Sequence, residues 1–464
     1  MREKMKWGTN GMSIVGDNPI RAQEEDALGR FDLARSFAQQ VLALDTANGV
    51  VVGVLGLWGS GKTSFVNLAR DEFTRAGVPI LDFNPWMFSG AEQLVESFFV
   101  ELAAQLKVLP GLSEVGKGLE DYGEAFSGMG WLPLVGPWME RASGAAKVLG
   151  KVLQNRKQGI GGRRATVDKA LAELGKPIVV VLDDIDRLST TEIRDVFKLV
   201  RLTASFPNIV YIVAFDRDRV EEALAEQGVP GRAYLEKILQ VAVDLPVVPF
   251  QVLNHQIFTA VDSALAGIEN PGRFDDQVWP DAFMEIIRPL IRNMRDVRRY
   301  AAAIYGTANS LGGQIALADV LSLEAIRVFL PDVFKLLHGT LNALTNVGGG
   351  HRESPQMKVQ IEALFAAGGL HKEVVQAMIE RLFPAAQRHI SNMHYGADWK
   401  GRWLRERRVA HEDILRFYLE RVAGEGLKSF TDAEQAGGPR RVRSAPTVPR
   451  FNAATGHHRF LGEF

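Results

Sequence analysis

Val51-Val52-Gly53-Val54-Leu55 is a short apolar run, and the chain then reads Gly56-Leu57-Trp58-Gly59-Ser60-Gly61-Lys62-Thr63 before apolar residues resume at helical spacing. No other stretch limits the fold so tightly. The apolar run is patterned as a buried strand, and Phe65, Leu68 and Ala69 fall on one face of the helix that follows. Between them, glycines let the backbone turn its N–H groups inward around phosphates, a lysine reaches the β- and γ-phosphates, and a hydroxyl faces Mg²⁺. The reading is strand, phosphate loop, helix. It assigns Gly56, Trp58, Gly59, Ser60, Gly61, Lys62, Thr63 and Ser64 to a triphosphate cradle, with Thr63 also a metal ligand.

A second stretch supplies what the first needs. Ile178-Val179-Val180-Val181-Leu182 is β-branched but for its last residue, the pattern of a central parallel strand buried on both faces, and it ends in Asp183-Asp184-Ile185-Asp186-Arg187. At such a tip the first carboxylate, Asp183, can hold Mg²⁺ through its water shell, and the second, Asp184, can polarise an attacking water. Many NTPases with this layout carry the longer Glu where Asp184 stands. Asp186 is an alternative base.

Two further strands end in polar residues. Residues 78–83 lead into Asn84-Pro85-Trp86, where Asn84 is either a site residue at the ligand-binding edge of the sheet or part of a strand-ending turn. Residues 209–215 end at Asp216. If this strand is inserted between the loop strand and the Asp183 strand, Asp216 senses the γ-phosphate side; otherwise it caps the helix after it.

Composition narrows the partners. Lys plus Arg is 54 and Asp plus Glu is 55, a net charge of −1, so there is no global pull toward nucleic acid or anionic lipid. Cysteine is absent, which excludes disulfides, thiolate metal sites and thiol catalysis and is compatible with a reducing cytoplasm. Residues 1–7 lack the apolar core of a signal peptide, and no run of about 18 apolar residues exists. A cytoplasmic location is expected, and membrane contact is not. Residues 126–139 are the most apolar candidate but are too short to span a bilayer.

The expected fold is α/β, a parallel sheet flanked by helices, with an all-α module after it. Residues 1–109 and 163–248 form the nucleotide-binding core, 110–162 an insertion, 249–436 a C-terminal helical domain and 437–464 a disordered tail. The insertion is either a covering subdomain or, through Trp131, Leu132, Leu134, Val135 and Trp138, a partner-facing element. The acidic lead-in over 12–30 either lines a base pocket or simply packs. Within the helical part, Arg295 and Arg298 reach back to the nucleotide or form a solvated basic face. Residues 399–408 hold five basic residues and two tryptophans, which suits either an acidic partner or a charged helix face over buried rings.

Taken together, the 58–63 loop, Phe83-Asn84-Pro85-Trp86, Leu182-Asp183-Asp184-Ile185-Asp186-Arg187, Ala214-Phe215-Asp216, Tyr234-Leu235-Glu236-Lys237-Ile238-Leu239-Gln240 and Asn293-Met294-Arg295-Asp296-Val297-Arg298-Arg299 resemble the KAP P-loop NTPases. The likeness covers residues 12 to about 310. It implies ATP and Mg²⁺ as ligands, ATP hydrolysis, sensor roles for Arg295 and Arg298, and an association with phage exclusion. Many members carry transmembrane helices between the two nucleotide motifs, whereas the insert here is too polar and glycine-rich to cross a membrane. The family often has Asn-Pro-Arg where this chain has Asn293-Met294-Arg295.

The expected function is an ATPase switch in bacterial antiviral defence. Arg187, Arg201 or a neighbouring subunit's arginine would complete the site, which implies a homo-oligomer or an operon-encoded protein partner. The alternatives are a nucleotide-stabilised interaction scaffold with little turnover, and a nucleic-acid-dependent motor, which the charge balance does not favour.

Overall fold

A computed structural model describes residues 18–88, 91–124, 160–225, 230–311, 313–347, 355–391, 393, 395–396 and 398–421. The aromatic cluster at 131–138, the apolar run at 126–139 and the expected tail lie outside them. The chain divides into two compact units, one over Pro19–Val247 and one that joins Val248–Phe464 to Met1–Asn18.

The first unit is built on five parallel strands: β1 (Val50–Leu55), β2 (Ile80–Phe83), β3 (Ile178–Leu182), β4 (Ile209–Phe215) and β5 (Val241–Asp244). Their order is β2-β3-β4-β1-β5. All residues of β1, β3 and β4 are buried, as expected of central strands covered on both faces, whereas the edge strand β5 has no buried residue.

The two-residue period of a strand sorts these side chains into two cores. Val50, Val52 and Val54 of β1 join Val179, Val181, Val210 and Ile212 beneath α1 (Phe31–Leu42) and α2 (Lys62–Arg75). Val51 and Leu55 join Val180, Leu182, Tyr211 and Val213 on the opposite face. There they meet α3 (Ala91–Lys107), α4 (Ser113–Glu124), α5 (Ile160–Ala172) and α6 (Thr190–Thr203). Each aliphatic side chain fully removed from water contributes about 1.5–3 kcal/mol. Helix α6 starts with a reciprocal cap, in which Ser189 N–H donates to Glu192 Oε2 at 2.9 Å and Glu192 N–H to Ser189 Oγ at 3.4 Å. On α6, Leu199 is buried and Leu202 is only half-buried, so the inward stripe sits slightly differently from the expected Ile193, Phe197, Val200, Leu202 set. Two short helices, α7 (Arg217–Leu224) and α8 (Gly231–Leu235), precede β5.

Every regular element among the described residues of the second unit is a helix. It runs through α9 (Phe250–Leu265), α10 (Trp279–Ala282), α11 (Met294–Leu311), α12 (Leu317–Phe329), α13 (Pro331–Thr345), α14 (Pro355–Gly368), α15 (Lys372–Leu382), α16 (Asp398–Arg405) and α17 (Glu412–Glu420). Its core contains two buried acids. Asp319 takes Arg408 Nε at 2.8 Å and Val409 N–H at 2.8 Å, and Glu324 takes the Tyr418 hydroxyl at 2.7 Å and ion-pairs with Arg327. In the 399–408 stretch Trp403 is buried against Ala385 and Ala410, while Trp399 is partly exposed with Arg402 over its ring at 4.9 Å. Among the described residues no helix is long and apolar enough to cross a membrane.

Candidate functional site

Parallel strands deliver their C-terminal ends to one edge of the sheet. The register pairs Leu55 of β1 with Phe215 of β4, Leu182 of β3 with Val213 of β4, and Phe83 of β2 with Leu182. Gly56, Asp216, Asp183 and Asn84, each the residue after its strand, therefore share that edge. Strand β4 lies between β1 and β3, as the sequence-based expectation for Asp216 required.

The loop from Gly56 to Gly61 has left-handed glycines at Gly59 (φ +79°) and Gly61 (φ +90°), conformations that a Cβ disfavours. Helix α2 begins at once with Lys62, so its first N–H groups lack intrahelical acceptors at the mouth of the loop. Lys62 is buried, which for an ammonium requires partners. Its Nζ donates to Gly56 O at 3.0 Å and Leu57 O at 3.3 Å, and pairs with Asp186 Oδ2 at 3.0 Å. Asp186, weighed from the sequence as an alternative base, is thus the acid that holds Lys62. The Ser60 hydroxyl is buried in the same loop without a hydrogen-bond partner among the described residues. Thr63 is half-buried, and Ser64 accepts Ile20 N–H on its hydroxyl at 3.3 Å.

The acidic turn after β3 has its own internal order. Asp183 Oδ1 accepts the Asp184 N–H at 2.8 Å. Asp184 sits in the left-handed region, φ +60°, where Asp and Asn are tolerated because their short polar side chains hydrogen-bond locally. That conformation gives a physical reason for Asp at a position where many such enzymes carry Glu. Burial first, and then the neighbouring Asp183 charge, push the Asp184 carboxyl above the usual aspartate value. Arg187 opposes this, its Nε lying 2.9 Å from Asp184 Oδ1 and its guanidinium 5.9 Å from the Trp58 ring centroid.

Asp216 does not cap α7 with its side chain; its Oδ2 accepts the Trp58 N–H at 3.0 Å and so anchors the loop to the end of β4. Asn84 Oδ1 accepts Trp86 N–H at 3.1 Å, closing the turn that places Trp86 and Met87 on the surface. Arg295 and Arg298 lie half-buried on α11 of the helical unit, where Arg298 donates to Asn18 O at 2.8 Å.

The sequence reading overlooked Arg30. Buried just ahead of α1, it donates from one terminal nitrogen to Ser60 O and from the other to Pro246 O, the latter at 2.7 Å. Burial lowers its guanidinium pKa from the ordinary value, and Asp26 works against that. The sequence signal was slight, since Arg30 is one of two arginines, with Arg21, in an otherwise acidic lead-in.

The donors present suit a magnesium triphosphate. The glycine loop and the free N–H groups at the start of α2 fit anionic oxygens, and the unpartnered Ser60 hydroxyl leaves one more group to donate. Thr63 and Asp183 offer two hard oxygens, the number of protein ligands that a Mg²⁺ shared with phosphates commonly takes.

A five-stranded parallel sheet with this order, a phosphate loop and a facing acidic turn define a P-loop NTPase fold. Residues 31–311 match the family model described as KAP family P-loop domain, and the chain belongs to that family. It is 28% identical over 270 residues to the phage T7 exclusion protein of Escherichia coli (strain K12). That match covers 52% of this chain and 35% of the relative, about a third of the relative's length. Solved structures with some likeness include Aeropyrum pernix ORC1 in complex with DNA, at TM-score 0.35 and 12% identity, covering 76% of this chain and 86% of that one. Another is AMPPCP-bound DnaA from Aquifex aeolicus, at TM-score 0.28 and 13% identity, covering 76% and 87%.

Proposed function

We propose that the chain binds ATP with Mg²⁺ and hydrolyses it slowly, as a switch read by a partner protein or by further copies of itself. The observation that carries this reading is the meeting of Lys62 Nζ with Asp186 Oδ2 at 3.0 Å, which brings the loop lysine to the acidic turn after β3. A triphosphate replaces the two carbonyls and Asp186 as the partner of Lys62. Loop N–H groups and the Ser60 hydroxyl hold the remaining phosphate oxygens, with Gly56, Trp58, Gly59, Gly61 and Ser64 shaping the cradle. Thr63 and Asp183 would hold Mg²⁺, which when bound neutralises charge on the phosphates. Asp184, whose carboxyl burial raises above the usual aspartate value, takes the proton of the attacking water. Asp216 links the loop to β4, Asn84 borders Asp183, and Arg295 and Arg298 keep their sequence-based assignment as sensors.

Phosphoryl transfer is mostly positioning and charge stabilisation, so a site without an inserted arginine turns over slowly. Arg187 is engaged by Asp184 and Trp58, which favours an arginine supplied by a second copy or an operon-encoded partner. The likeness to a phage exclusion protein supports a role in antiviral defence, and the cytoplasm is the compartment that suits an ATP-dependent switch.

The test is binding and phosphate release measured together. The parent chain is expected to take up MgATP and release phosphate. Asp184→Asn is expected to keep binding while losing about 100-fold or more in rate, the low end of what a positioned base supplies. A parent chain that takes up no purine triphosphate would sink the proposal, and an Asp184→Asn variant with the parent rate would remove the base assignment.

A further inference from the structure

We infer that Arg30 is a positioning residue for the phosphate loop: by holding the Ser60 carbonyl it presets the Ser60–Gly61 peptide so that the Gly61 N–H faces the phosphates. The inference rests on the nucleotide-binding reading above and adds a residue that neither the loop motif nor the acidic turn contains. A buried guanidinium needs compensation, and here both terminal nitrogens take main-chain carbonyls, those of Ser60 and Pro246. The charge therefore acts on backbone geometry. In a planar trans peptide the C=O and the following N–H point in opposite directions. Drawing the Ser60 oxygen toward Arg30 turns the Gly61 N–H away from it, and a donor on the carbonyl polarises the peptide and makes that N–H a better donor in turn. Gly61 must be glycine for this arrangement: it has φ +90°, and a Cβ there would stand 3.3 Å from the same Arg30 nitrogen.

The second nitrogen fixes the frame. Pro246 follows Leu245, whose N–H donates to Leu55 O at 2.7 Å at the end of β1, so Arg30 ties the loop to the strand ends on which the loop is mounted. The lead-in that carries Arg30 is anchored as well. Asp26 Oδ2 accepts Phe31 N–H at 2.8 Å, Asn67 donates to Ile20 O at 3.0 Å, and Ile20 N–H donates to Ser64.

The experiment titrates the full chain calorimetrically with MgATP and, separately, with magnesium tripolyphosphate, which has no base or sugar and reports on the loop alone. Arg30→Gln is expected to weaken both ligands by a similar factor of about tenfold, the worth of one charge-assisted hydrogen bond. Arg30→Lys, which keeps the charge but reaches one carbonyl, is expected to fall between that variant and the parent. A purely structural role would lower the melting temperature yet leave the folded protein's affinity for both ligands within about twofold of the parent, and that result overturns the inference. If Arg30→Gln does not fold, Arg30→Lys decides: weakening of about threefold or more supports the inference, and parental affinity overturns it. A parent chain that binds neither ligand strikes the nucleotide reading itself. A parent that binds, with both variants unchanged, strikes only the role of Arg30.

Discussion

Each unit of the molecule buries an ion pair, and the two are finished differently. In the helical unit Asp319 is fully buried, takes Arg408 Nε on both oxygens at 2.9 and 2.8 Å and Val409 N–H at 2.8 Å, while Arg408 also donates to Arg381 O at 2.8 Å. In the sheet unit Lys62 meets Asp186 at 3.0 Å and two loop carbonyls, beside a Ser60 hydroxyl that has no partner among the described residues and the adjacent carboxyls of Asp183 and Asp184. The first network is closed, since its acceptors and donors are matched by the fold itself. The second contains unspent capacity and like charges in close company, the condition in which an incoming anion with a cation lowers the free energy. A buried ion pair by itself therefore says little about function; it is what surrounds each pair that tells the two apart.

The sharpest way to break this comparison is to remove one acid from the closed network. Asp319→Ala leaves Arg408 buried without its carboxylate and Val409 N–H without an acceptor, and is expected to destabilise the helical unit by about 3–5 kcal/mol. Urea unfolding should show the loss, with MgATP affinity of the folded protein unchanged. A smaller effect is expected at the other pair. Lys62→Ala strands the Asp186 carboxylate, at about 1–3 kcal/mol, and removes triphosphate binding. The double variant Lys62→Ala with Asp186→Ala should recover most of that stability without recovering any binding. If the double variant stays as unstable as the single, or if Lys62→Ala still binds MgATP, the two pairs are not different in kind.

Much of this was legible before any coordinates. The phosphate loop, the all-buried β3 and β4 and the acidic tips follow from local pattern, because a strand's period and a glycine's conformational freedom are written in consecutive residues. The placement of β4 between β1 and β3 was legible only as a conditional expectation, since strand order is a long-range property. The pairing of Lys62 with Asp186, the left-handed turn at Asp184 and the bridge from Arg30 to Pro246 were not legible. Each depends on residues far apart in sequence or on a backbone angle that no residue type dictates. Asp216 illustrates the boundary: an Asp before a helix reads as a cap, yet its carboxylate instead takes Trp58 N–H across the sheet edge. In residues 399–408, composition left open an acidic partner or a charged face over buried rings, and of the two tryptophans Trp403 is buried while Trp399 stays partly exposed.

The smallest effect is expected in how stability responds to pH at Asp184, whose carboxyl, like that of Asp319, burial raises above the usual aspartate value. Its folded pKa is raised, by burial first and by Asp183 second, so the ionised form is less favourable in the folded chain than in the unfolded one. That penalty is absent below the unfolded pKa and sets in as pH rises through the raised folded value. Asp184→Asn removes the charge, keeps the side-chain size and suits the left-handed φ of +60°. At pH 8 the variant is expected to melt slightly higher than the parent, by about a degree or two, because loss of the Arg187 pair offsets part of the relief. The difference should shrink on acidification, where the parent carboxyl is itself protonated. Over the same range the parent's hydrolysis rate should fall on the acid side at a higher pH than an ordinary aspartate would give, since only the ionised carboxylate accepts a proton from water. A lower melting temperature for Asp184→Asn at pH 8, with the deficit closing only as pH falls below the ordinary aspartate value, would mean that Arg187 stabilises the Asp184 carboxylate more than burial and Asp183 oppose it. The acidic turn would then hold no electrostatic strain at Asp184 for a ligand to relieve.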